Sequence, residues 1–127
     1  MSITSNLSPL DKFGKLIVQS LRDRALEQNE MLLRGQLKGL PMQHLQERIA
    51  KLSPDEKALI HDVVVDLLDT ALHDVLFSIQ EAHDSNSGIE ILVDGQNVAE
   101  ISGMLNGELL GPDGWISKFS RFPVKAE

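Results

Sequence analysis

The segment SPDEKALIHDVVVDLLDTALHDVLFSIQEAH, Ser53 to His83, decides how the rest of the chain is read. Ser53 has the side chain of a helix N-cap. Pro54 suits the first helical position, and Glu56 stands three residues after the cap as a capping-box acid. Asp55 and Glu56 also favour the positive end of the helix dipole. The loop composition of Asp84-Ser85-Asn86-Ser87-Gly88 ends the pattern, so one long helix is predicted over 54–83.

At about 100° per residue, Asp62, Asp66, Asp69 and His73 fall on one line of that helix, and Gln80 and Asp84 extend it. The expected core face is Ile60, Val64, Leu67, Leu68, Ala71, Val75 and Ile79. Val63 and Phe77 flank the acidic line on one side, Val65 and Leu76 on the other. Asp74 lies nearer the apolar edge and suits an anchoring role, because a lone buried carboxylate is costly. His61 points towards the apolar half. His83 sits at the helix C-terminus, where the dipole favours a cation.

Before the long helix, Ser8-Pro9 opens a helix in which Leu10, Phe13, Ile17 and Leu21 recur at helical spacing, over 9–33. Gly14 weakens its first turns unless a neighbour packs close there. Pro41 starts a shorter helix near 42–51, with Leu45, Ile49 and Leu52 as its apolar residues. After the long helix the pattern changes. Ile89 to Val93 reads as a strand, Asp94-Gly95 as a turn and Val98 to Ile101 as a returning strand; the alternative is a short helix through Leu105 capped by Asn97. Trp115 to Phe122 is a short final element, strand or helix, that closes the core or offers an aromatic anchor to a partner. The predicted class is α+β in one domain, 1–127. Three N-terminal helices, the third long and amphipathic, occupy 9–84. They pack with a small segment, 89–122, that contains a β-hairpin and is β-rich.

Charge is unevenly placed. No lysine or arginine lies between Ala58 and Ser117, whereas eleven acids do. The chain carries a net charge of −7, with the excess of acid beyond Ala50. Such a field attracts basic surfaces and repels nucleic acid and anionic membrane, so neither is an expected partner. Cysteine is absent, which excludes disulfides and thiol catalysis and fits a reducing, cytoplasmic setting. Residues 1–8 lack the pattern of a secretory signal. No Gly-x-Ser-x-Gly, Gly-x-Gly-x-x-Gly or phosphate-loop motif occurs.

These features favour a non-catalytic, acidic cytosolic binding protein that engages a basic macromolecular partner, resembling small inhibitor or immunity-type proteins in charge and size only. Asp62, Asp66, Asp69, His73, Trp115 and Phe119 are the expected contact residues, and no cofactor is expected. The alternative is a small enzyme dependent on a divalent metal. Its ligands would be Asp62, Asp66, Asp69 and His73, completed by a second helix or subunit. A third reading is a structural homo-oligomer such as a homodimer, because the long helix is apolar over much of its circumference. The basic tail residues Lys118, Arg121 and Lys125 are expected to pair with the acidic helix, within the molecule or across a dimer.

Overall fold

The computed structural model describes residues 6–122. Ser8 caps α1 (Pro9–Ile17), its side chain accepting from the Asp11 amide at 3.1 Å. The helix then widens into a π-helical stretch (Val18–Asp23) and continues as α2 (Arg24–Leu33). Thus the predicted helix over 9–33 is one rod with a π-helical centre. After α3 (Leu40–Ile49) comes α4 (Pro54–Asp84), whose 31 residues make it the longest element. The capping box forms in full: the Glu56 amide donates to Ser53 Oγ at 3.1 Å and the Ser53 amide to Glu56 Oε1 at 2.8 Å. At 1.5 Å per residue α4 runs for about 46 Å, well beyond the span of the core it joins.

The C-terminal segment contains less β structure than its composition predicts. A hairpin pairs β1 (Leu92–Val93) with β2 (Gln96–Asn97), antiparallel, Leu92 opposite Asn97 and Val93 opposite Gln96. Asp94 (φ 51°) and Gly95 (φ 77°) both adopt positive φ, as a type I′ turn requires. Of the two readings of the next segment, the strand over 98–101 does not form and the helix capped by Asn97 does, as α5 (Val98–Ser102). Asn97 causes the switch: its Oδ1 accepts from the amides of Ala99 at 3.0 Å and Glu100 at 3.3 Å, which stops the ladder and starts a helix. A 3₁₀ turn (Leu105–Glu108) and a helix, α6 (Trp115–Phe119), complete the segment. The predicted final element is therefore helical.

The core lies between α1, the second half of α4 and this C-terminal segment. Phe13, Val18, Leu72, Leu76, Val98, Leu105, Leu109, Trp115 and Ile116 form it. Trp115 is at its centre, edge-on to Phe13 with ring centroids 6.0 Å apart. Its indole lies against the backbone of Gly14, where a Cβ would come within 2.3 Å of the ring. Gly14 is thus required by close approach, and the loss of helix propensity is the cost of seating the tryptophan. The indole N–H donates to Asp11 Oδ1 at 3.2 Å, so the buried ring leaves no unpaired donor.

Gly14→Ala tests this contact. The extra methyl improves helix propensity by about 1 kcal/mol. Overpacking against a rigid ring costs roughly 1–3 kcal/mol and more in a tight site, so a net loss of stability is expected. Urea unfolding followed by Trp115 fluorescence measures it; an unchanged or higher midpoint would contradict the contact.

Candidate functional surface

The acidic line on α4 is not one continuous solvent face. Its middle is occupied by a cation from the first helix. Arg22, fully buried, donates from Nε to Asp69 Oδ1 at 2.6 Å and from Nη2 to Asp69 Oδ2 at 3.2 Å, a bidentate pair. Its Nη1 donates to Ser120 Oγ at 2.9 Å and to the Phe122 carbonyl. The adjacent Asp23, also buried, accepts from Ser120 Oγ at 2.6 Å and from the Arg121 amide at 2.9 Å. The π-helical stretch contains both Arg22 and Asp23, and both consecutive side chains are turned inward. Every charge in this cluster is paired or hydrogen-bonded, which is the condition for burying it.

This network also redirects the basic tail. Arg121 pairs with Glu27 at 3.0 Å and Lys118 with Asp11 at 3.1 Å, both on the first rod rather than on α4. The hydrogen bond from Arg121 to Glu27 raises the guanidinium pKa above its ordinary value. Lys125 lies outside the described residues.

The other predicted contact residues disperse. Asp66 is exposed, and Asp62 is exposed but engaged in an interaction of its own. His73 sits between Asp74, 3.3 Å from Nδ1, and Asn106, 3.4 Å from Nε2. Trp115 is 1% exposed and serves the core, so it is no surface anchor. Phe119 is partly buried against the core, with Lys118 Nζ 5.5 Å from its ring centroid. Among the described residues no three His, Cys, Asp or Glu side chains converge as a metal-holding group. Asp69, one of the four candidate ligands, is held by Arg22. His83 contacts Asn97 beside a groove of about 470 Å³ whose lining includes Glu90, Leu92, Glu100 and Ile101.

Gln80 belongs to the same line yet is buried. It donates to the Ala99 carbonyl at 3.1 Å and to Asp84 Oδ1 at 3.1 Å, and its Oε1 accepts from the Leu105 amide at 3.0 Å. Asp69 and Gln80 therefore turn their side of α4 inward, together with Leu72 and Leu76. The expected core face is correspondingly displaced. Ile79 packs on the core, but Leu67 is 63% and Val75 44% exposed. Leu67 and Leu76 are nine residues apart, about 180° around the helix. The face opposite Leu76 is therefore apolar as well, and it looks outward: Leu59 is 63% exposed, Val63 48% and Phe77 49%. Between Ile49 and Leu72 no residue is buried. The signal for this second face is present in the sequence as leucine and valine at nearly every angle of the helix.

Comparison with protein-family models, curated proteins and solved structures finds no match for this chain. Among the described residues, no helix is long and apolar enough to cross a membrane.

Asp69→Ala leaves the buried Arg22 guanidinium without its carboxylate and is expected to cost roughly 3–5 kcal/mol. Asp66→Ala, on the exposed part of the same line, should change stability by less than about 0.5 kcal/mol. Chemical denaturation of the two variants separates the roles. Equal, small effects would mean that Asp69 is only another surface acid.

Proposed function

We propose that this protein is a non-catalytic binding protein that docks another polypeptide on the outer face of α4. One observation carries the reading. From Ala50 to Ala71 the chain holds Leu52, Leu59, Ile60, Val63, Val64, Val65, Leu67 and Leu68, and none is buried. Leu59, Val63 and Leu67 are exposed and the others half-buried; full burial of such a side chain is worth about 1.5–3 kcal/mol, so covering the exposed ones favours association. Of the buried polar groups, Arg22, Asp23, Gln46 and Gln80 hold elements together, and Asn29 alone among those described keeps a side-chain nitrogen without a partner. The engaged groups are left to structure rather than to substrate chemistry.

Charge refines the partner. Exposed acids at Asp66, Asp74 and Glu81 border or interrupt the apolar strip. A polypeptide with an apolar centre and basic groups around it meets both properties. Acids at a rim act mainly on the rate and selectivity of encounter, whereas the desolvated apolar centre holds the complex. This keeps the basic partner expected from composition but moves the centre of the contact from acids to aliphatic side chains.

The test uses immobilised full-length protein challenged with native extract and with a tagged copy of itself. The wild type is expected to retain a stoichiometric polypeptide, its own or foreign. The double variant Val63→Lys, Leu67→Lys should lose it while keeping its helix content and melting temperature, because both positions are exposed. A foreign basic partner should bind more slowly as salt rises. Equal retention by wild type and double variant would remove the α4 face from the reading.

A further inference from the structure

We infer that the outer face of α4 is covered by α4 of a second copy of this chain, running antiparallel. The inference rests on the α4 docking reading and puts a second copy, whose one basic group on this seam is Lys57, in place of the foreign basic polypeptide named above.

The spacing of the outward residues leads to it. Lys57, Ile60, Val64, Leu67, Ala71, Asp74 and Ser78 recur in alternating steps of three and four. That alternation traces a straight seam along a helix packed side by side with another. Leu67, Ala71, Asp74 and Ser78 are exposed and Ile60 and Val64 are half-buried, while Lys57, also half-buried, stands at the edge of the seam on the recess between α2 and α4 that Glu30 and Asp62 also line. Val63 on one side, and Leu68 and Val75 on the other, widen the seam with aliphatic groups rather than charges. The lone α4 therefore displays what a helix pair normally conceals.

Charge chooses the occupant and its direction. From Lys57 to Ser78 the seam contains two charged residues, one basic and one acidic, and they stand at opposite ends of its apolar centre. Set two copies antiparallel about a twofold axis between Val64 and Leu67. Then Val64 faces Leu67, Ile60 faces Ala71, and Lys57 faces Asp74, each pair occurring twice. The bulky Ile60 meets the small Ala71, which lets the backbones approach there. Both seam charges find an opposite charge, and the two helix dipoles oppose each other favourably. A parallel pair would instead place Lys57 against Lys57 and Asp74 against Asp74. Asp74 is free to turn towards a partner, since its side chain is 72% exposed and its contact here is with His73. The seam between Lys57 and Ser78 is about 32 Å long. Two helices packed over that length with their flanking side chains bury on the order of 1,200 Å² in total, at the lower edge of specific dimers. A reversible, concentration-dependent dimer is the form that such an area supports.

The experiment measures mass against concentration by sedimentation equilibrium for the full-length wild type, Lys57→Glu, Asp74→Lys and the double variant, with circular dichroism as the control for folding. The wild type should pass from monomer to dimer. Each single reversal places like charges opposite each other twice and should raise the dissociation constant about tenfold or more. The double variant restores opposite charges at both ends and should recover most of the lost affinity. Because the chain has no cysteine, a second measurement fixes direction. Ile60→Cys mixed with Ala71→Cys should form a disulfide-linked dimer on mild oxidation, and neither variant alone should do so efficiently. Cross-linking of Ile60→Cys to itself, or a double charge variant no tighter than the singles, would overturn the antiparallel register. A wild type that stays monomeric to high concentration would overturn self-pairing altogether. In that case, retention of a foreign polypeptide that is lost in the Val63→Lys, Leu67→Lys variant would leave the α4 docking reading standing.

Discussion

The bidentate pair between Arg22 and Asp69 sets the roll of α4, and the rest of the surface follows from that roll. A guanidinium with no exposure to solvent accepts no arrangement in which its carboxylate turns away. Asp69 is therefore fixed facing the first rod. Eleven residues on, Gln80 is fixed by the Ala99 carbonyl and the Leu105 amide. Two anchors on one line of a single helix leave no freedom to rotate. Leu72 and Leu76 lie beside that line and fill the core. Everything diametrically opposite, with Leu67 at its middle, is committed to the outside.

The same network joins chain segments that are far apart in sequence. Ser120 hydrogen-bonds with both Arg22 and Asp23, and the Arg121 amide donates to Asp23. The end of the described chain is thereby tied to the π-helical stretch of the first rod. Trp115, five residues earlier, packs on Gly14 of that rod. The C-terminal segment thus closes one side of α4's second half, while its first half extends past the core with α2 as its helical neighbour. A molecule built this way has a stable end and an end whose aliphatic side chains stay half in water.

How much of this was legible in the sequence depended on whether the deciding contact was local. Capping is local, so Ser8-Pro9 and the Ser53–Glu56 box located two helix starts, and Asp94-Gly95 located the hairpin turn. Gly14 was readable as a close approach, though not the identity of the ring that approaches it. Asn97 was ambiguous because its side chain suits either a strand end or a helix cap; in the structure it caps α5, and Val98 and Ala99 are buried behind it. The roll of α4 was not legible. Aliphatic residues stand at nearly every angle of that helix, and taking the acidic line as the outside made the face of Leu67 and Val75 the expected core. The residue that decides otherwise, Arg22, lies 47 positions before its partner. The acidic line looked available to a partner or a metal because the cation that neutralises its middle belongs to another helix. Trp115 could be read as closing the core or as an anchor for a partner, and its glycine seat, which decides for the core, lies at the other end of the chain.

The central claim is the orientation of α4, with Leu76 inside and Leu67 outside. Thiol labelling tests it most directly, since the chain lacks cysteine and each introduced thiol is the only one present. Leu67→Cys and Leu76→Cys would be labelled at nanomolar concentration, where a weak dimer is dissociated. The account predicts that the thiol at 67 reacts at nearly the rate of an unfolded peptide, and that the thiol at 76 reacts orders of magnitude more slowly until denaturant is added. Rapid reaction at 76 with protection at 67 would mean that α4 is rolled the other way, and that its apolar outer face does not exist.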